Sequence, residues 1–116
     1  MNGKVPHNFP PAVVDVRDVA EAHVLALDLP RKELQEKRYL LVAGVLTWKE
    51  AVTLLHEVRS GLATLKPEEI DDLPGPVPKF DASKTEQEFG IKFIDPKDTI
   101  IAAVDSLLEA QKAWEV

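Results

Sequence analysis

The sequence predicts a small α/β domain of the α+β kind: a β–α–β unit with two or three short strands and three main helices. Three observations lead there. A β-branched run, "AVVDV" (12–16), passes into an apolar segment of helical character that stops at Pro30. A second apolar run, "RYLLVA" (38–43), shows no polar alternation. Two further segments, from Thr47 and from Asp95, combine helix caps with an apolar period of 3.6.

Taken in order, Ala12 to Val16 forms the first strand. A helix is expected over residues 17–29. Asp15 and Asp18 stand at capping-box spacing and place negative charge at its positive end, and Pro30 ends it. Arg38 to Ala43 forms a second strand, buried on both faces. Strand, helix and strand in that order predict a right-handed parallel crossover. The clearest helix is "TWKEAVTLLHEVRSG" (47–61): Thr47 and Glu50 make a capping box, the cap alone contributing about 1 kcal/mol. Ala51, Leu54, Leu55 and Val58 supply its apolar face, and Gly61 stands at the C′ position. A short helix over residues 82–89 closes at Gly90, and "IKF" (91–93) reads as a third short strand. The last helix begins at "DPKD", with Asp95 as cap and Pro96 at the first helical position. Most of the nine prolines lie in residues 6–11 and 67–78, which read as extended connections.

The 116 residues suit a single domain over 1–116, and 45% hydrophobic with 29% charged residues marks a folded chain. The net charge is −6 and no basic run occurs, which argues against nucleic acid or an anionic membrane as partner. Cysteine is absent, so disulfides, a thiolate nucleophile and zinc–thiolate sites are excluded, and a reducing cytoplasm is the expected compartment. "MNGKVPHNFPP" lacks the apolar stretch of a signal peptide, and no window reaches transmembrane length.

The first helix poses a packing problem. On a helical wheel Asp18, Glu21 and Asp28 share one narrow stripe, and nearly all the rest is Val, Ala, Leu or His23. Such a helix demands cover on most sides, yet two or three strands and two other sizeable helices offer little. A further domain or a second chain is therefore expected to shield it, with a two-fold homodimer as the simplest arrangement. The alternative is a compact domain whose own helices do so.

Three stretches, "VVDVRDVAEAHVLALDLP", "RYLLVAGVLTWKEAVTLL" and "FDASKTEQEFGIKF", together resemble the C-terminal part of extended short-chain dehydrogenase/reductases. The nearest branch is the dihydroflavonol-reductase and cinnamoyl-CoA-reductase type, with its fungal aldehyde and ketone reductase relatives. The resemblance runs from about Gly3 to Leu108. It implies a truncated fold lacking the Rossmann half. That family binds NADP(H) on an N-terminal Rossmann domain through a Gly-x-x-Gly-x-x-Gly loop. Gly3, Gly44, Gly61, Gly75 and Gly90 are not so spaced. The family's Tyr-x-x-x-Lys pair is also missing, since Tyr39 is followed by Leu40, Leu41, Val42 and Ala43. The resemblance thus implies a substrate-covering portion that carries no cofactor and is not by itself a reductase.

Several groups have both a structural and a chemical reading. Asp15, Arg17 and Asp18 form a cap and ion pair, or else a carboxylate general base with Arg17 holding an enolate or carboxylate. His23 is a core histidine bonded to a backbone carbonyl, or a general acid/base. Asp15, Arg17 and His23 are thus the candidate catalytic residues. Trp48 packs at a helix start or lines a pocket for a flat substrate. Within "PEEIDDLPGPVPKFDASK", which the resemblance places near the substrate pocket, Phe80 and Lys84 join Trp48 as candidate substrate-binding residues. His7 lies in a proline-rich arm and His56 on a solvated helix stretch; no two histidines have metal-ligand spacing, so no metal is expected.

Three roles follow: a substrate-binding portion for a small apolar metabolite, inactive without a Rossmann-type partner; a stand-alone, cofactor-independent cyclase, isomerase or dehydratase of secondary metabolism acting as a homodimer; or a non-enzymatic assembly subunit.

Overall fold

A computed structural model of the chain describes residues 4–30, 37–61 and 65–115. Gly3, where the family resemblance begins, lies outside them. Among the described residues there are four α-helices and one two-stranded sheet, in the order β1 (Ala12–Val13), α1 (Val16–Ala26), β2 (Gly44–Val45), α2 (Trp48–Val58), α3 (Ser83–Phe89) and α4 (Pro96–Trp114). A 3-10 turn over Pro67–Glu69 separates α2 from α3. The small α+β class is as the sequence predicts.

The helix boundaries follow local chemistry. The Asp15 carboxylate accepts the Arg17 amide and opens α1. The Thr47 hydroxyl accepts the Glu50 amide at 3.1 Å and donates to the Glu50 carboxylate at 3.2 Å, so this box closes through side chains. Asp95 accepts the Lys97 amide, and Pro96 opens α4 without sacrificing a bonded N–H. Gly90 ends α3 at φ 67°, a left-handed geometry that suits glycine.

Sheet pairing departs from expectation. β1 and β2 run antiparallel, Ala12 opposite Val45 and Val13 opposite Gly44, in place of a parallel crossover. The second strand also begins after the apolar run 38–43. One reason is visible at Leu40, whose carbonyl is taken by the Thr85 hydroxyl of α3 at 2.8 Å. The expected third strand at 91–93 is likewise not part of a ladder. Ile91 is buried, but the next amide along, Ile94 N–H, donates to the Asp18 carboxylate at 2.8 Å. That bond also removes Asp18 from the capping role expected of it. At Gly44 a Cβ would stand 3.1 Å from the Pro96 ring and press on it, so β2 approaches the start of α4 closely.

Among the described residues the buried apolar side chains are Ala22, Leu46, Ala51, Ile70, Ala82 and Ile91, half of them alanine, together with Pro11. The molecule measures 51 × 42 × 25 Å, with a radius of gyration of 17.3 Å. A compact chain of this length has about 13 Å. Two helices stacked side by side fill a thickness of roughly 20–24 Å, so the structure is a slab two layers deep.

Helix α1 splits the acidic stripe of its wheel: Glu21 is exposed as expected, but Asp18 is buried. Asp18 and Ala22 face inward, while Val16, Val24 and Leu27 are exposed. The inward acid is bonded to Ile94, and the outward apolar residues are left uncovered.

Candidate functional site

The structure distributes five of the six predicted site residues over three places and leaves Phe80 outside them. The first is the junction of α1 and α4. Asp15, 3% exposed, receives four donors: the Arg17 amide (2.8 Å) and Nε (2.9 Å) on Oδ1, and Arg17 Nη2 (2.7 Å) and the Thr99 hydroxyl (2.9 Å) on Oδ2. The Arg17 guanidinium first, and then the Arg17 amide, hold this carboxyl well below the usual carboxylate range, overriding the opposing effect of burial. Asp15 correspondingly raises Arg17. A carboxylate so held is an anchor between two helices and a weak proton acceptor at neutral pH. Thr99 is the residue that sequence reading missed; it lies 84 positions from Asp15 and one turn into α4. Beside this junction opens a groove of about 440 Å³, lined by Val16, Arg17, Ala102, Ala103 and Ser106.

The second place gathers His23 and Lys84 around an aromatic pair. His23 lines an open apolar cleft of about 240 Å³ with Ala22, Ala26, Tyr39, Leu41 and Phe89. Its Nδ1 lies 2.7 Å from the Val19 carbonyl. A carbonyl can only accept, so Nδ1 donates and neutral imidazole presents the Nε2 lone pair outward. Tyr39 and Phe89 pack with ring centroids 4.6 Å apart, and Lys84 Nζ sits 5.4 Å from the Tyr39 centroid. Glu88 is held below its ordinary value by a hydrogen bond from Tyr39 and then by Lys37. Apolar walls, one nitrogen acceptor and nearby cations make this a place for a small, flat molecule with a donor group.

Trp48 stands in the third place, where the N-terminal arm crosses the start of α2. Asn8 joins the two: its carbonyl oxygen accepts the Trp48 amide at 2.9 Å, and its Nδ2 donates to the Leu46 carbonyl at 2.9 Å. Val5 pairs with Ile70 behind it, and an ion pair links Lys49 to Asp72. The cleft here, about 190 Å³, is lined by His7, Asn8, Trp48, Asp71 and Leu73 among others. Phe80, half-buried before α3, lines none of these three openings. His56, read from sequence as solvated, is half-buried, with Nε2 2.8 Å from the Leu65 carbonyl. Among the described residues no three His, Asp or Glu side chains converge as a metal site would require, and no helix is long and apolar enough to cross a membrane.

Among the described residues, none of Gly44, Gly61, Gly75 and Gly90 opens a helix, the position from which a glycine loop would hold a pyrophosphate: Gly44 is packed against Pro96, Gly61 and Gly90 follow helix ends, and Gly75 lies in the connection between the 3-10 turn and α3.

No family model matches the chain. Three curated proteins are similar to it. Ketoreductase azaE of Aspergillus niger is 38% identical over 110 residues, 93% of this chain and 32% of that protein. Ketoreductase nvfG of Aspergillus novofumigatus is 33% identical over 100 residues, 82% of this chain and 28% of that protein. An uncharacterized oxidoreductase of Saccharomyces cerevisiae is 31% identical over 110 residues, 90% of this chain and 31% of that protein. The chain spans about a third of the length of the curated relatives it matches. It is thus related to proteins named as ketoreductases and oxidoreductases.

Proposed function

We propose that this chain is the substrate-covering portion of an extended short-chain dehydrogenase/reductase-like ketoreductase, supplying a wall for a small apolar substrate and none of the hydride chemistry. The observation that carries this reading is the match of nearly the whole chain to one third of such proteins, in a sequence without the glycine loop or the Tyr-x-x-x-Lys pair. The described residues do not fit NADP(H), because none of their glycines forms a loop at a helix start.

The wall is the cleft of His23, Tyr39, Leu41 and Phe89. Its aromatic pair offers flat apolar area, and His23 Nε2 accepts a hydrogen bond from a substrate hydroxyl. Lys84 steadies Tyr39 from the ring face. Asp15 and Arg17 hold α1 against α4 and so fix the helix that carries His23.

The test has two arms. The isolated chain is expected neither to bind NADPH nor to oxidise it in the presence of aryl ketones. A chimera in which it replaces the matched third of the Aspergillus niger ketoreductase is expected to reduce ketones with NADPH, with an altered substrate range. In that chimera His23→Ala and Phe89→Ala raise KM about tenfold and leave kcat within about twofold, as loss of uniform binding does. Conversion of a substrate by the isolated chain without NADPH, abolished by His23→Ala, would instead establish a cofactor-independent isomerase or cyclase.

A further inference from the structure

Two helices leave apolar stripes open to solvent, and the stripes meet. On α1 the stripe is Val16 and Val24, continued by the C-cap Leu27, which is 85% exposed; on α4 it is Ala103, Leu107 and Trp114, the last 84% exposed. The helical repeat puts each trio on one side of its helix. Val16 and Ala103 both line the groove of about 440 Å³ beside the Asp15–Thr99 bond, so the two stripes join into one patch. Single exposed apolar residues are ordinary, but a patch continuous over two helices marks an interaction surface.

Size points to the occupant. The chain exposes 8532 Å², whereas a folded monomer of its 12.9 kDa exposes about 6,300 Å². The surplus is well above the roughly 800 Å² that each partner contributes to a standard interface between two proteins; it is on the scale of an obligate one. About two thirds of each curated relative lies outside the stretch this chain matches. A second copy fits less well. Glu21 on α1 and Asp28 just beyond its end are exposed, Asp98 acts on Arg17 at the groove, and the chain carries −6 overall, so pairing like patches brings acids together.

We propose that the joined apolar faces of α1 and α4 are the seat of the complementary two thirds of a ketoreductase-like fold, and that this docking, not self-association, covers them. The proposal rests on the functional reading above and adds to it the surface that does the joining.

The test places Val24→Asp and Leu107→Asp in the isolated chain and in the chimera, with Lys112→Glu on the far side of α4 as control. In the isolated chain, both stripe variants are expected to leave the circular dichroism, the sedimentation coefficient and the Tm unchanged. In the chimera each lowers the Tm by about 3 °C or more, while Lys112→Glu does not. An isolated chain that sediments as a dimer and is split by Val24→Asp would overturn the proposal in favour of a second copy. A chimera no more sensitive to the stripe variants than to Lys112→Glu, or one that does not fold, overturns it as well. A chimera that folds and is sensitive at the stripe but reduces no ketone defeats the functional reading and leaves the docking standing. One that reduces ketones with neutral stripe variants does the reverse.

Discussion

Asp15 shows how one side chain can serve local and long-range structure together. It caps α1, neutralises Arg17 and receives Thr99 from α4. Its folded pKa is depressed below the ordinary carboxylate value of about 3.9. The stability it contributes is therefore complete above that value and is lost as pH falls from about 4 toward the lower, folded pKa. Asp15→Asn keeps an acceptor for the Arg17 amide but loses the charge, and is expected to cost about 1–2 kcal/mol at pH 7. The gap between the parent and Asp15→Asn should narrow on acidification below about pH 4, read from urea denaturation at stepped pH. Much of Arg17's guanidinium is in water, so the ion pair itself contributes little of this.

At the scale of elements, the helix ends are set by their nearest neighbours in sequence. Thr47→Ala removes the acceptor of the Glu50 amide and is expected to destabilise by about 1 kcal/mol. Gly90→Ala forces a Cβ into φ 67° with nothing close by to clash, so it costs about 1–2 kcal/mol from backbone strain alone. Both are measurable by thermal denaturation. The same locality explains what could be read in advance. Thr47 with Glu50, Asp95 with Pro96, and Gly90 each announce a helix end within four residues. The strands could not be read this way, because pairing depends on distant claims on the backbone: Thr85 takes the Leu40 carbonyl, and Asp18 takes the Ile94 amide. The candidate site suffered similarly. Asp15 and Arg17 are neighbours in sequence and in space, but His23 and Lys84 are brought to one aromatic pair and Trp48 to a separate cleft by packing that no spacing rule encodes. Asn8 and Thr99 carry no local signature, and each matters only through a partner far along the chain.

For the molecule as a whole, surface dominates. A chain that already exposes 8532 Å² has less to reveal on unfolding than a compact domain of its length. Since the denaturant slope follows newly exposed area, urea unfolding of the isolated chain is expected near about 1 kcal/mol/M, the low end for small proteins. A slope near 3 kcal/mol/M would show a far more enclosed structure in solution. The greasy first helix, anticipated from its wheel as needing cover, exposes Val16, Val24 and the C-cap Leu27, while Asp18 and Ala22 are tucked away.

The 25 Å depth of the slab also governs how the backbone breathes. At that depth few of the described side chains are fully enclosed, and the buried apolar ones are few. Deuterium uptake by the isolated chain should therefore leave only a short list of slowly exchanging positions, centred on Leu46, Ala51 and Ile70, with no deep reservoir of protected amides behind them.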